Sequence, residues 1–210
     1  MPPIPISDEP TAPMGDHRAE KARLRREIRA QRLALPDREA RVAARRAVHR
    51  LWSLPVLTRA RSLALYLPLG GELDCTPLAL QAWQRGRTVF LPVIAGAALR
   101  FAPFSPDSKL RPNRFGILEP VTPARHWRTA RQLDVIVAPV VAFDAEGHRL
   151  GMGGGYYDRT LAYLMGRSCS RRPHFVALAF EMQRTATLPT ATWDVRLDAV
   201  VTETTTYRFD

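Results

Sequence analysis

DVIVAPVVAFDAEGHRLGMGGGYYD, residues 134–158, is the stretch whose reading decides the fold. After its opening acid, the segment to Phe143 is apolar without alternation. A strand exposed on one face alternates, whereas one covered on both faces does not. Residues 134–143 are therefore expected as a buried strand of a parallel sheet. Five glycines follow between Gly147 and Asp158. A helix is expected next, from about Tyr156 to Met165. Strand, glycine loop and helix in this order belong to an α/β fold.

The flanking sequence repeats the theme. SLALYL (62–67), TVFLPV (88–93), His174–Glu181 and Ala199–Thr202 are further short apolar runs. Thr76 as N-cap and Pro77 at the first helical position open a helix to about Arg85. Ala98–Phe101 with Phe104 reads as a further strand or a hairpin. Residues 105–131, rich in Pro and Arg, read as loop with short elements, and 167–173 as a surface connection. Upstream, Leu24, Ile28 and Leu35, with Gln31 between them, give a first helix over Ala19–Leu35, closed by Pro36. Asp37 is a candidate N-cap for a second helix, whose stripe is Ala40, Ala44, Ala47, Val48 and Leu51. The arginines of both helices fall on the other faces. The expected architecture is one α/β domain over residues 17–210, a mostly parallel sheet flanked by helices. Residues 1–16, with five prolines, are expected to form a disordered leader.

Composition narrows the functional class. The chain has 210 residues, 46% hydrophobic and 24% charged, enough to bury a core and inconsistent with global disorder. No run of eighteen apolar residues exists, so no membrane span is expected. The first sixteen residues lack the basic and apolar regions of a secretory signal. Two cysteines, Cys75 and Cys169, are too few for a disulfide framework and read as packing or surface residues. A cytoplasmic location is expected. The net charge is +11, and 29 of the 31 basic residues are arginine. Between His17 and Arg61, fourteen basic residues face four acids, an excess of ten. That third of the chain calls for an anionic partner (nucleotide, polyanionic substrate, nucleic acid or acidic lipid) or is a solvated helical surface.

The glycine segment is the most informative for chemistry. Glycines let backbone N–H groups approach an anion, Arg149 supplies a full charge to a phosphate, and Asp158 could hold magnesium beside it. The pattern is not a P-loop. It is not the dinucleotide fingerprint either, because Tyr156 stands where the third glycine should be. The competing reading of the glycines is a structural tight turn. Lys21 and Arg25, at i and i+4, share one helical face and suit a triphosphate, or are simply solvated. Glu72, in GGELD at the C-terminal end of the first strand, lies at the edge where open α/β sheets bind ligands, or is a plain loop acid. Asp194 completes a metal site or caps a turn. Trp52 and Trp83 fall on helical stripes and read as core, whereas Phe115 lies in a loop. Zinc spacing, H-E-x-x-H and G-x-S-x-G are all absent.

Five segments taken together resemble the 5-formyltetrahydrofolate cyclo-ligase family. They are KARLR, LALYLPLGGELD, LRPNRFGILEP, DVIVAPVVAFDAEGHRLGMGGGYYDRTLA and LPTATWDVRLDAVVTE, in family order over about residues 21–203. The resemblance implies a single-domain fold of the ribose-5-phosphate isomerase and CoA-transferase type. It also implies Mg-ATP-dependent conversion of 5-formyltetrahydrofolate to 5,10-methenyltetrahydrofolate with release of ADP and phosphate. On the family's pattern, ATP would be bound by Lys21, Ala22, Arg23, Leu24 and Arg25. The loop residues Arg149, Leu150, Gly151, Met152, Gly153, Gly154, Gly155, Tyr156 and Tyr157 would complete the ATP site. The folate would meet Leu67, Glu72 and Met152 through Tyr156, with Phe115 packed on the pterin or aminobenzoate ring. Asp158 and Asp194 would hold Mg²⁺, and Arg149, Lys21 and Arg25 would neutralise the phosphates during reaction. Some members carry lysine where this chain has Gly154. The implied partners are ATP and 5-formyltetrahydrofolate, including polyglutamylated forms, for a monomeric enzyme without membrane or nucleic-acid partners. The alternative is a non-enzymatic nucleic-acid-binding relative that keeps the fold.

Overall fold

The computed structural model describes residues 14–165 and 173–209. Three helices come first: α1 (Met14–Ala34), α2 (Asp37–Leu51) and α3 (Pro55–Arg59). They lead to β1 (Ser62–Ala64), α4 (Thr76–Gln84), β2 (Thr88–Ala95) and β3 (Ala98–Phe104). A small hairpin, β4 (Leu110–Pro112) with β5 (Leu118–Pro120), precedes β6 (Val135–Pro139). A second hairpin, β7 (Ala142–Phe143) with β8 (Arg149–Leu150), delivers the glycine loop to α5 (Tyr156–Leu161). β9 (His174–Leu178), β10 (Ala199–Val201) and β11 (Thr206–Arg208) follow.

Among the described residues the main sheet has seven strands in the order β11-β10-β9-β6-β1-β2-β3. The five central strands are parallel, and β3 and β11 run antiparallel at the two edges. From β1 the chain first adds β2 on one side, then returns to add β6 on the other. Loops leaving β1 and β6 therefore diverge, and the crevice between their C-terminal ends is where open α/β sheets take ligands.

The continuous apolar runs are explained by two covered faces. Leu63, Leu65, Val135, Val137, Val176 and Leu178 pack beneath α2 and α4. The alternate residues Ala64, Ile136, Ala138, Phe175 and Ala177 face Leu161 of α5, Phe101 and Leu197. Burying each large side chain contributes about 1.5–3 kcal/mol. A third cluster docks α1: Leu24 and Ile28 meet Val141, Ala142, Leu150 and Leu188 around the second hairpin.

Several boundaries differ from the sequence reading, each for a local reason. The helix of α1 begins at Met14, three residues inside the expected leader; residues 1–13 lie outside the described residues. So do residues 166–172, and with them Cys169 and most of the expected surface connection. Asp37 and Thr76 are the first helical residues rather than caps, which fall on Pro36 and Cys75. The run 134–143 breaks into β6 and β7 because side chains take over its backbone partners. Gln183 Nε2 donates to the carbonyls of Val140 at 2.6 Å and Val141 at 3.0 Å, ending the ladder there. The SLALYL strand stops at Ala64, and beyond it the Tyr66 hydroxyl donates to Leu73 O at 2.7 Å to shape the following loop. Strand β11, with no apolar run of its own, was not foreseen.

Candidate active site

The glycine loop begins on a rigid base. Asp144 accepts hydrogen bonds from the backbone of Glu146 and His148, both at 3.0 Å, and its Oδ2 lies 3.0 Å from His148 Nδ1. Gly147 has φ +80°, and a Cβ there would stand 2.7 Å from the Phe209 ring, so no larger residue fits. The helix that follows the loop has only six residues, so the charge at its end is too small to define an anion site. Any anion held here depends on loop N–H groups and on side-chain cations.

Those cations come from α1. Arg25 Nε donates to Gly151 O at 2.8 Å, and burial lowers its pKa. Four residues earlier, Lys21 Nζ meets Asp194 Oδ2 at 3.2 Å across 173 positions of sequence. The other members of the expected N-terminal motif bring no polar group to the loop. Arg23 turns outward to Glu27 at 2.9 Å, Ala22 is exposed, and Leu24 packs into the cluster beneath the helix.

Arg149 differs from its expected role as an open phosphate ligand. Its side chain is 5% exposed, Nη2 donates to Asp158 Oδ1 at 2.7 Å, and its guanidinium lies 5.0 Å from the Phe175 ring centre. Its Nε is buried without a hydrogen bond. Leu150 is core, and the Tyr157 ring stacks on Phe175 at 5.8 Å, facing inward from the loop. Gly151 and Gly155 are partly covered, and Met152, Gly153 and Gly154 form the exposed rim. Gly153 (φ +97°) and Gly155 (φ +63°) supply left-handed backbone there.

The two candidate metal acids, Asp158 on α5 and Asp194 in the loop before β10, both accept backbone hydrogen bonds from residues 191–195. Val195 N donates to Asp158 Oδ1 at 3.2 Å, and Ala191 N donates to Asp194 Oδ2 at 2.9 Å. In each carboxylate the second oxygen accepts no hydrogen bond among the described residues. No group of three metal-binding side chains forms among the described residues. Two carboxylates with free oxygens are nonetheless the donor set magnesium uses when phosphate and water complete its shell.

Across the crevice, Glu72 is half-buried and accepts Leu69 N at 3.1 Å; burial pushes its carboxyl pKa up. Leu67 packs at the margin of the main core. Phe115 is 53% exposed at the tip of the β4–β5 hairpin and meets the Tyr156 ring edge-on at 6.2 Å. Arg114 beside it donates to the Tyr156 hydroxyl at 2.7 Å. Glu119 fixes this hairpin by accepting Asn113 Nδ2 at 2.7 Å and Ile94 N at 3.0 Å.

One residue of the crevice was missed. Arg32 is 3% exposed and bridges the β1 and β6 loops, donating to Gly70 O at 3.2 Å and Val140 O at 3.4 Å. It sits four residues after Ile28, on the apolar stripe of the same helix. An arginine interrupting such a stripe was the available signal.

Residues 17–203 match the 5-formyltetrahydrofolate cyclo-ligase family. The 5-formyltetrahydrofolate cyclo-ligase of Escherichia coli strain K12 is 39% identical over 178 residues, 83% of this chain and 96% of its own. That of Haemophilus influenzae is 34% identical over 180 residues, covering 84% and 94%. Among solved structures, the 5,10-methenyltetrahydrofolate synthetase of Aquifex aeolicus superposes with a TM-score of 0.75 at 34% identity, covering 90% of this chain and 92% of its own. The synthetase of Mycoplasma pneumoniae shares the fold at a TM-score of 0.66 and 23% identity, covering 88% and 99%. The chain belongs to the 5-formyltetrahydrofolate cyclo-ligase family.

Proposed function

We propose that this protein uses ATP to convert 5-formyltetrahydrofolate to 5,10-methenyltetrahydrofolate, releasing ADP and phosphate. The reading is carried by one observation: α1 brings Lys21 and Arg25 onto the glycine loop and its acids, from opposite ends of the sequence. Triphosphate cations and folate-facing residues then border one crevice, at the switch between β1 and β6.

The chemistry follows from the substrate. A formyl amide is a poor electrophile because its oxygen leaves badly. Transfer of the γ-phosphoryl group to that oxygen forms an O–P bond and breaks the bond to ADP. The N10 lone pair then attacks the formyl carbon, the C–O bond breaks, phosphate departs and the N10 proton passes to solvent. The protein's part is positioning and charge neutralisation. Arg25 meets the phosphates directly. Lys21 exchanges Asp194 for a phosphate oxygen, and Arg149 holds Asp158 in place. Asp158 and Asp194 would hold magnesium, which would screen the phosphate charge. Glu72 orients the pterin, and Phe115 packs on the pterin or aminobenzoate ring. In this reading the enzyme works as a cytoplasmic monomer.

The test is the absorbance of the methenyl product with purified protein, 5-formyltetrahydrofolate, ATP and magnesium. Product is expected only when all are present. Folded protein that gives none with the full mixture overturns the reading.

A further inference from the structure

Among the described residues, four cations contact the backbone of the glycine loop or the acids beside it, and two are already neutralised within the chain. Lys21 is paired with Asp194, and Arg149 with Asp158. The other two bond carbonyl oxygens instead. One is Arg25, on Gly151 O at 2.8 Å. The second is Arg159, on the first turn of α5, which no reading above assigns to the site. Its Nη2 donates to Gly154 O at 2.7 Å and its Nε to Ala97 O at 2.5 Å. Its Cζ lies 4.9 Å from the Tyr156 ring centre. No carboxylate pairs with it among the described residues. Its Nη1 makes no hydrogen bond among them either, and lies 2.6 Å from where a Cβ on Gly155 would stand. An exposed full charge is thus held by two carbonyls and an aromatic ring, with its free edge along the turn. A guanidinium fixed in this way presents donors in the planar fork that matches phosphate oxygens.

We propose that Arg159 binds a nucleotide phosphate directly, at the Gly154–Gly155 end of the loop. Arg25 lies against the earlier part, where its Cζ is 3.5 Å from the Cβ position of Gly153. The two arginines, one from each side, form a clamp along the glycine turn. This rests on the reading that the loop receives the phosphates of ATP. Gly155 is glycine for its φ of +63°, and a Cβ there would stand 2.6 Å from Arg159 Nη1, so a larger residue would shift the guanidinium.

The rival role for Arg159 is a structural brace, and the test separates the two. Binding of ATP, AMP and adenosine is measured calorimetrically, without folate, for wild type, Arg159→Ala, Arg159→Gln and Arg159→Lys. A lost charge-assisted contact weakens ATP by about tenfold or more in the Ala and Gln variants. Adenosine, lacking phosphate, is expected to bind unchanged, and Arg159→Lys, which keeps the charge but loses the fork, to fall between wild type and Arg159→Ala in ATP affinity. In turnover the ATP KM should rise while the 5-formyltetrahydrofolate KM stays constant. Equal weakening of ATP and adenosine, or no change in either, overturns the proposal. Arg159→Gln keeps a donor for the loop carbonyls, so its result stands if the Ala variant folds poorly. Wild type that binds ATP but makes no methenyl product would defeat the proposed reaction and leave the clamp intact. Wild type that binds no ATP defeats the clamp.

Discussion

Glu72 and Cys75 lie three residues apart in one loop, and burial acts on both. It pushes the Cys75 thiol up to about 12, so this cysteine is a neutral packing group whose Sγ bonds Tyr66 O. Burial also raises the Glu72 carboxyl above its ordinary value of 4.5. Between the unfolded and folded pKa the native state keeps a proton the unfolded chain has lost, so stability falls as pH rises through that interval. Glu72→Gln removes the titration. The melting temperature of the variant, relative to wild type, should therefore climb as pH rises from 4.5 through the raised native value and level off on either side; a pH-independent gap contradicts this. The same variant should raise the folate KM. Phe115, half-exposed against Tyr156, gives a second check on the folate side. Phe115→Ala should raise the folate KM about tenfold, as loss of an aromatic contact does, and leave the ATP KM unchanged. An unchanged folate KM would remove Phe115 from the site.

Helix α1 is the element that assembles the crevice. Along its length Arg32 bridges the β1 and β6 loops, Ile28 and Leu24 pack on the second hairpin, Arg25 reaches the glycine loop and Lys21 reaches Asp194. Arg32→Met should cost about 1.5–3 kcal/mol in denaturant unfolding, the usual worth of a charged hydrogen-bond donor. It should also raise the ATP KM, because the cations ride on the same helix. Full stability with unchanged ATP KM would show that Arg32 does not seat α1. Much of this element was legible in the sequence: the Leu24–Ile28–Leu35 spacing gave its buried stripe, and Lys21 with Arg25 gave its polar face. Its partners were not, because a contact spanning 173 residues leaves no local period to read. Arg32 was hidden among exposed arginines that look alike in one dimension. Strands were legible as apolar runs wherever both faces are covered, but their ends were not, because side chains such as Gln183 terminate them.

At the scale of the whole molecule the dominant property is charge. Most of the excess positive charge lies between His17 and Arg61, chiefly on α1 and α2, and the most basic part of α2 is solvated. There Arg45, Arg46, His49 and Arg50 line an open cleft of about 770 Å³ with Glu203 and Thr204. A field of this sign attracts anionic ligands over the distance that salt leaves unscreened, about 8–10 Å at physiological ionic strength. Apparent affinity for 5-formyltetrahydrofolate should therefore fall as salt rises, more steeply for polyglutamylated substrate than for the monoglutamate. Equal slopes would show that the basic surface plays no part in capture. The most direct test of the account is the initial rate of methenyltetrahydrofolate formation as ATP is varied, for wild type and for Arg25→Ala. The account predicts ATP-dependent product from wild type, with the ATP KM raised about tenfold or more in the variant and the folate KM constant. Folded wild type that forms no product, or a variant whose ATP KM equals that of wild type, would contradict it.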